Sequence, residues 1–133
     1  MKPKDDRYLL PNDPATAFYN DVPSSSVQHE WINRLSPTAY AVLASEVEYS
    51  CCQAETVPCS YLIGEKDNVV PPAVARAMIG SICKEGRMGT EVVCDSGHSP
   101  WLTRAEVVVG LVRKAAGEEV EVPAQKIDDK GNR

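Results

Sequence analysis

The sequence predicts an α/β domain in which helical segments precede a β-α-β-α unit with parallel strands. Three observations predict it: the apolar run "CSYLIG" closed by Gly64, a second run "TEVVC" ending at Cys94, and a helical apolar pattern after each. Strands alternating with helices point to parallel pairing with crossover helices. At 133 residues the chain has room for one domain.

Taken in order, residues 1–22 carry Pro3, Pro11 and Pro14 and little periodicity, so an irregular leader is expected, with one helical turn in "PATAFYND". In "PSSSVQHEWINRL", Ser25 precedes Gln28 by three, the spacing of a capping box, and Val27, Trp31 and Leu35 recur every four residues beside Ile32. That is an amphipathic helix. Pro37 opens a second helix, "PTAYAVLASEVEY", because proline is tolerated in a first helical turn. The run 59–64 is short, rich in Tyr and Ile, and followed by the charged turn "EKDN", as a buried strand would be. "PPAVARAMIGSIC" places Val74, Met78 and Ile82 on one stripe, and the Gly86 and Gly89 region ends that helix. After the second strand and a loop, "RAEVVVGLVRKAAG" has a broad apolar face of Val107, Val108, Leu111, Val112 and Ala115. The expected divisions are a leader and helical segment over 1–57, the β-α-β-α unit over 58–117, and a charged, solvated tail over 118–133.

Composition narrows the function. A net charge of −5 gives no attraction to nucleic acid or an anionic membrane, so small-molecule or protein partners are favoured. No apolar run approaches the roughly 20 residues of a membrane span, and the opening "MKPKDDRYLLPND" lacks the apolar core of a signal peptide. A cytoplasmic, reducing location is expected. The five cysteines have no CxxC pair or regular spacing, which argues against a disulfide framework and a structural zinc site. Cys59, Cys83 and Cys94 read as small buried hydrophobes. His29 has no second ligand one turn on and reads as solvated.

Asp67 and His98 are the candidate catalytic residues. Asp67 lies four residues after the apolar run ends at Ile63 and His98 four after Cys94, at the carboxyl edge where open α/β sheets bind ligands. A carboxylate there can accept the Nδ1 proton of an imidazole and leave the other ring nitrogen free as a base. The milder alternatives are a turn aspartate and a loop histidine.

These residues resemble a family. "VPCSYLIGEKDNVVPPAVARAMIG" followed by "EVVCDSGHSPWLTRAEVVVGLVRKAAG" is similar to the C-terminal part of α/β-hydrolases, especially a fungal esterase-like branch related to plant methylesterases and hydroxynitrile lyases. The acid of that family lies in a G-x-x-D-x-x-x-P turn, here Gly64 to Pro71, and its base in a G-H-S-P loop, here Gly97 to Pro100. "AFYNDVP" and the Trp31 helix resemble the helical cap. The resemblance covers about residues 15–117 and implies a partial α/β-hydrolase fold, with Asp67 orienting His98 in hydrolysis of a small carboxylic ester. No cofactor is implied; Trp31, Ser99 and Trp101 are the candidates for substrate contact.

One departure matters. The family's nucleophile comes first, on a G-x-S-x-G elbow, in the order Ser, Asp or Glu, His. No such elbow precedes Asp67, and Gly97 to Trp101 cannot replace it because no histidine follows. The readings left open are a piece of a longer enzyme, a binding protein or cofactor-free acid/base catalyst that has lost hydrolysis, and a site completed by a second copy or another chain. Ser50, Cys51, Cys52 and Ser60 are weaker internal nucleophiles. Two strands cannot bury both faces of a wide sheet, so self-association or a complementing chain is expected.

Overall fold

The computed structural model describes residues 2–5, 8–46, 48, 58–82 and 88–123. The chain runs β1 (Lys2–Asp5), β2 (Tyr8–Leu10), α1 (Pro14–Phe18), α2 (Ser25–Asn33), β3 (Thr38–Ala39), α3 (Tyr40–Ala44), β4 (Cys59–Gly64), α4 (Pro72–Ile82), β5 (Met88–Cys94), α5 (Pro100–Thr103) and α6 (Ala105–Ala115).

The centre is a parallel pair, β4 and β5, in register from Ser60 opposite Thr90 to Gly64 opposite Cys94. Successive side chains of a strand point to opposite faces, and the packing follows that alternation. Ile63 and Val93 meet Ala75 of α4, flanked by Tyr61, Val70 and Ile79. On the other face Val92 and Cys94 meet Val107 of α6, flanked by Leu62, Leu111 and Val122. Each face of the pair thus has one helix, and fully burying a residue such as Ile63 contributes about 1.5–3 kcal/mol.

A second, antiparallel sheet, β1-β2-β3, corrects the expectation of an irregular leader. Tyr8 pairs with Ala39 and Leu9 with Thr38. That pairing also displaces the helix expected from Pro37: Thr38 and Ala39 are extended, and α3 starts at Tyr40 and ends at Ala44. Tyr40, the first residue of α3, is 52% exposed. In α2 the cap is Ser24 rather than Ser25, its Oγ accepting from the Val27 N–H. Gln28 is not a capping-box partner; its Nε2 donates to the Tyr19 carbonyl at 2.9 Å. The run of three serines at 24–26 hid the true register.

On α4 the buried stripe is Ala75 and Ile79, whereas Val74 and Met78 are 48% and 38% exposed. The helix is apolar on more than one side, so periodicity alone chose the wrong stripe. The outer part of the face expected on α6 is also open, with Val112 63% exposed and Ala115 exposed. Within 118–123, Glu118, Glu119, Glu121 and Pro123 are exposed, while Val122 packs beside Val107 and a Cβ on Gly110 would stand 3.3 Å from Pro123 Cδ. Gly110 leaves the space this return segment uses. The rest of the expected tail, 124–133, lies outside the described residues, as do Cys83, Gly86 and the Ser50–Cys52 stretch. Among the described residues no helix is long and apolar enough to cross a membrane.

Candidate active site

Because β4 and β5 are parallel and in register, their last residues, Gly64 and Cys94, stand side by side at one rim. The loops stay paired beyond it. Glu65 N–H donates to the Cys94 carbonyl and Lys66 N–H to the Ser96 carbonyl, both at 2.9 Å. Gly64 allows this approach, since a Cβ there would lie 2.7 Å from the Ser96 carbonyl oxygen. Two turns of different sequence are thereby carried to the same place.

Asp67 and His98 meet there. His98 Nδ1 donates to Asp67 Oδ2 at 2.9 Å, with Oδ1 at 3.1 Å. Asp67 Oδ1 also accepts from the N–H groups of Val69 and Val70 at 2.8 and 2.9 Å, a turn closed by an aspartate side chain. That closure holds the carboxylate through its own turn. The Asp67 side chain is 13% exposed and that of His98 31%, so the acid is covered while the base keeps an open side. The Nδ1–H tautomer is the one this contact selects, which leaves Nε2 as the acceptor.

The segment around α1 closes over the pair. The Phe18 ring stacks on the His98 imidazole, centroids 5.4 Å apart at 27°. Asn20 Nδ2 donates to the Lys66 carbonyl at 2.8 Å and Asn68 Nδ2 to the Thr16 carbonyl at 2.9 Å. Asp21 Oδ2 accepts from Gly97 N–H at 2.7 Å and from Thr103 Oγ1 at 2.6 Å. Lys66 and Arg104 both face Asp95, at 2.6 and 3.4 Å. The Lys66 hydrogen bond, with both cations nearby, holds the Asp95 carboxyl below its ordinary value against the opposing effect of desolvation.

A cavity of about 400 Å³ opens beside the pair. Asp67 and His98 form part of its wall, with Tyr61 and Leu62 of β4, Trp101 of α5, and Val108 and Leu111 of α6. Trp101 lines it while 56% exposed. Ser99 is buried at 2% exposure and is not part of the lining. Trp31 is not part of it either; its ring lies under the Arg34 guanidinium, 5.1 Å away, three residues along the same helix. Ser60 lines the cavity but sits within β4, where no strained turn presents its hydroxyl.

Cys94 is buried at 2% exposure, with Sγ 3.0 Å from Ser96 Oγ, and burial pushes its thiol up. Cys59 is part-buried. His29 is exposed, its Nδ1 donating to the Ser25 carbonyl at 2.7 Å. Among the described residues no cluster of three His, Cys, Asp or Glu side chains is arranged to hold a metal ion.

Phe18, Asn20 and Asp21 were not singled out by the sequence. Their only signal was to lie in "AFYNDVP", the stretch that resembles a cap; nothing local in it points to a rim formed 46 to 82 residues away.

Parallel strands carry a covered aspartate and an open histidine to one rim, and the parallel pair with a helix on each face is the layering of an α/β-hydrolase, the fold class that the family comparison gives. The model of the alpha/beta hydrolase family matches residues 2–111, and the chain belongs to that family. It is similar to the alpha/beta hydrolase nvfD of Aspergillus novofumigatus, 39% identical over 67 residues, which is 50% of this chain and 25% of that protein. The matched stretch thus spans about a quarter of that relative's length. No solved structure matches.

Proposed function

We propose that this chain carries the acid and base of a hydrolase acting on a small carboxylic ester or a related acyl bond. The observation that supports it is the 2.9 Å contact of His98 Nδ1 with Asp67, on the wall of a largely apolar cavity. In the reaction, His98 Nε2 takes the proton of an attacking hydroxyl as its oxygen bonds to the acyl carbon. Asp67 stabilises the imidazolium formed, and the same proton passes to the leaving alkoxide as the ester bond breaks. A water then repeats the sequence to release the acid.

The attacking hydroxyl in the family manner comes from a serine on a G-x-S-x-G elbow, which these 133 residues do not contain before Asp67. We assign that serine to polypeptide outside this stretch of chain or to a partner chain; with this chain alone, water is the client of His98. The apolar wall formed by Tyr61, Leu62, Trp101 and Leu111 suits a short hydrocarbon acyl or alcohol group.

Hydrolysis of p-nitrophenyl acetate and butyrate by the purified chain tests the reading. The expected result is slow turnover that falls about 10²-fold or more in His98→Ala, the lower range for loss of a general base. Equal rates in the two proteins would remove the catalytic reading and leave a binding protein.

A further inference from the structure

Asn20 and Asp21 are adjacent in the chain, and each holds the residue just before one member of the pair. Asn20 Nδ2 binds the carbonyl of Lys66, which precedes Asp67; Asp21 Oδ2 binds the N–H of Gly97, which precedes His98. One dipeptide therefore touches both turns.

Asp21 does more than its neighbour. The same Oδ2 takes the Thr103 hydroxyl at 2.6 Å, so a single oxygen anchors the histidine loop before His98 and again at the end of α5. Its other oxygen, Oδ1, is buried without a hydrogen-bond partner among the described residues. A buried unpaired carboxylate oxygen is unfavourable, and the polar contacts seen for this carboxylate all go to the loop that carries His98. Gly97 accepts the approach because it has no Cβ; one there would collide with Asn20 Oδ1 and come within 2.7 Å of Asp21 Oδ1.

We propose that Asp21 is a positioning residue for His98, and that with Asn20 it sets the separation of the two turns so that Nδ1 meets the Asp67 carboxylate. The Gly97 and Thr103 bonds leave the loop little freedom to rotate the imidazole. This rests on the reading of Asp67 and His98 as a working pair, yet its consequence is visible without any substrate.

The test is the tautomer of His98, read from long-range ¹H–¹⁵N spectra of protein labelled at histidine, at alkaline pH where an unperturbed imidazole is neutral. The chain has two histidines, and His29 serves as internal reference. The wild type is expected to show the Nδ1–H pattern at His98. Asp21→Ala is expected to shift it to the tautomer mixture of a free imidazole while His29 is unchanged. Asp21→Asn, whose amide oxygen can take both bonds, is expected to restore the wild-type pattern, a rescue that simple loss of packing would not give. Thr103→Val, which removes one of the two bonds, is expected to show partial averaging and is the variant that decides if Asp21→Ala does not fold. A wild-type pattern retained in folded Asp21→Ala, or in Thr103→Val, overturns the proposal. Absence of the Nδ1–H form in the wild type instead overturns the pairing of Asp67 and His98, so the two failures are distinct.

Discussion

Gly97→Ala tests how tightly the N-terminal segment is seated on the histidine loop. Gly117 is the only described glycine with positive φ, so alanine meets no backbone penalty at position 97 and its cost is steric. The new Cβ would collide with Asn20 Oδ1 and stand 2.7 Å from Asp21 Oδ1, where ordinary contact begins at 3.4 Å. Both side chains must retreat, and each is held by a hydrogen bond that retreat lengthens: Asn20 to the Lys66 carbonyl at 2.8 Å, Asp21 to Gly97 N–H at 2.7 Å. Losing a neutral hydrogen bond costs about 1 kcal/mol and one to a charged group about 1.5–3 kcal/mol. Replacing glycine by alanine returns about 0.4–1 kcal/mol through the unfolded chain. The net expectation is a loss of about 2 kcal/mol, read as a lower urea midpoint at unchanged slope. The ester hydrolysis rate should fall with it, since the collision falls on the residue before His98. A midpoint equal to or above wild type would refute the seating of Asn20 and Asp21 against Gly97.

Two other outcomes are expected. Burial raises the Cys94 thiol above its ordinary 9.0 and the Tyr19 phenol above 10.0. A proton held more tightly in the folded state adds stability that is complete below the unfolded value and lost as pH rises through the folded one. Urea midpoints should therefore decline above about pH 9, with a shallower decline in Cys94→Ala; an identical slope in that variant would remove Cys94 as a cause. The second outcome concerns association. β4 pairs on one edge only among the described strands, and Val74, Met78, Val109 and Val112 are exposed on the flanking helices. Open edges and apolar patches favour association, so light scattering should show mass rising with concentration, reduced in Val112→Lys. A monomer at all concentrations would refute it.

The parts of the fold legible in the sequence are those in which local pattern and burial coincide. "CSYLIG" became β4 at the expected residues, and the helices after each strand formed, because an apolar run between turn residues has one stable use in a parallel pair. The β1-β2-β3 sheet was not legible. Its strands have two to four residues with prolines nearby, and the pairing of Tyr8 with Ala39 joins distant segments that carry no alternation. The same division holds at the site. Asp67 and His98 could be picked out because each lies a fixed few residues past its own strand, and register then brings them together. Asp21 reaches Gly97 and Thr103 across 76 and 82 residues, and nothing near it announces those partners.

The distribution of these contacts bears on how such a site works. An imidazole is an efficient base only if its tautomer and direction are set before the reacting hydroxyl arrives, because reorganisation during the reaction adds to the barrier. Here the setting is done three times over. Asp67 fixes Nδ1 at 2.9 Å, Phe18 covers one face of the ring at 5.4 Å, and Asp21 anchors the loop on either side of His98. None of these groups needs the nucleophile in order to form. The described contacts that orient His98, in this base half of the site, thus come from residues between Thr16 and Thr103, and on the proposed reading a polypeptide that supplies a hydroxyl has only to place it within hydrogen-bonding reach of Nε2. A His98 that held the Nδ1–H tautomer in the isolated chain but turned over no activated ester would locate the missing step in the client, whereas a disordered imidazole would locate it in this half.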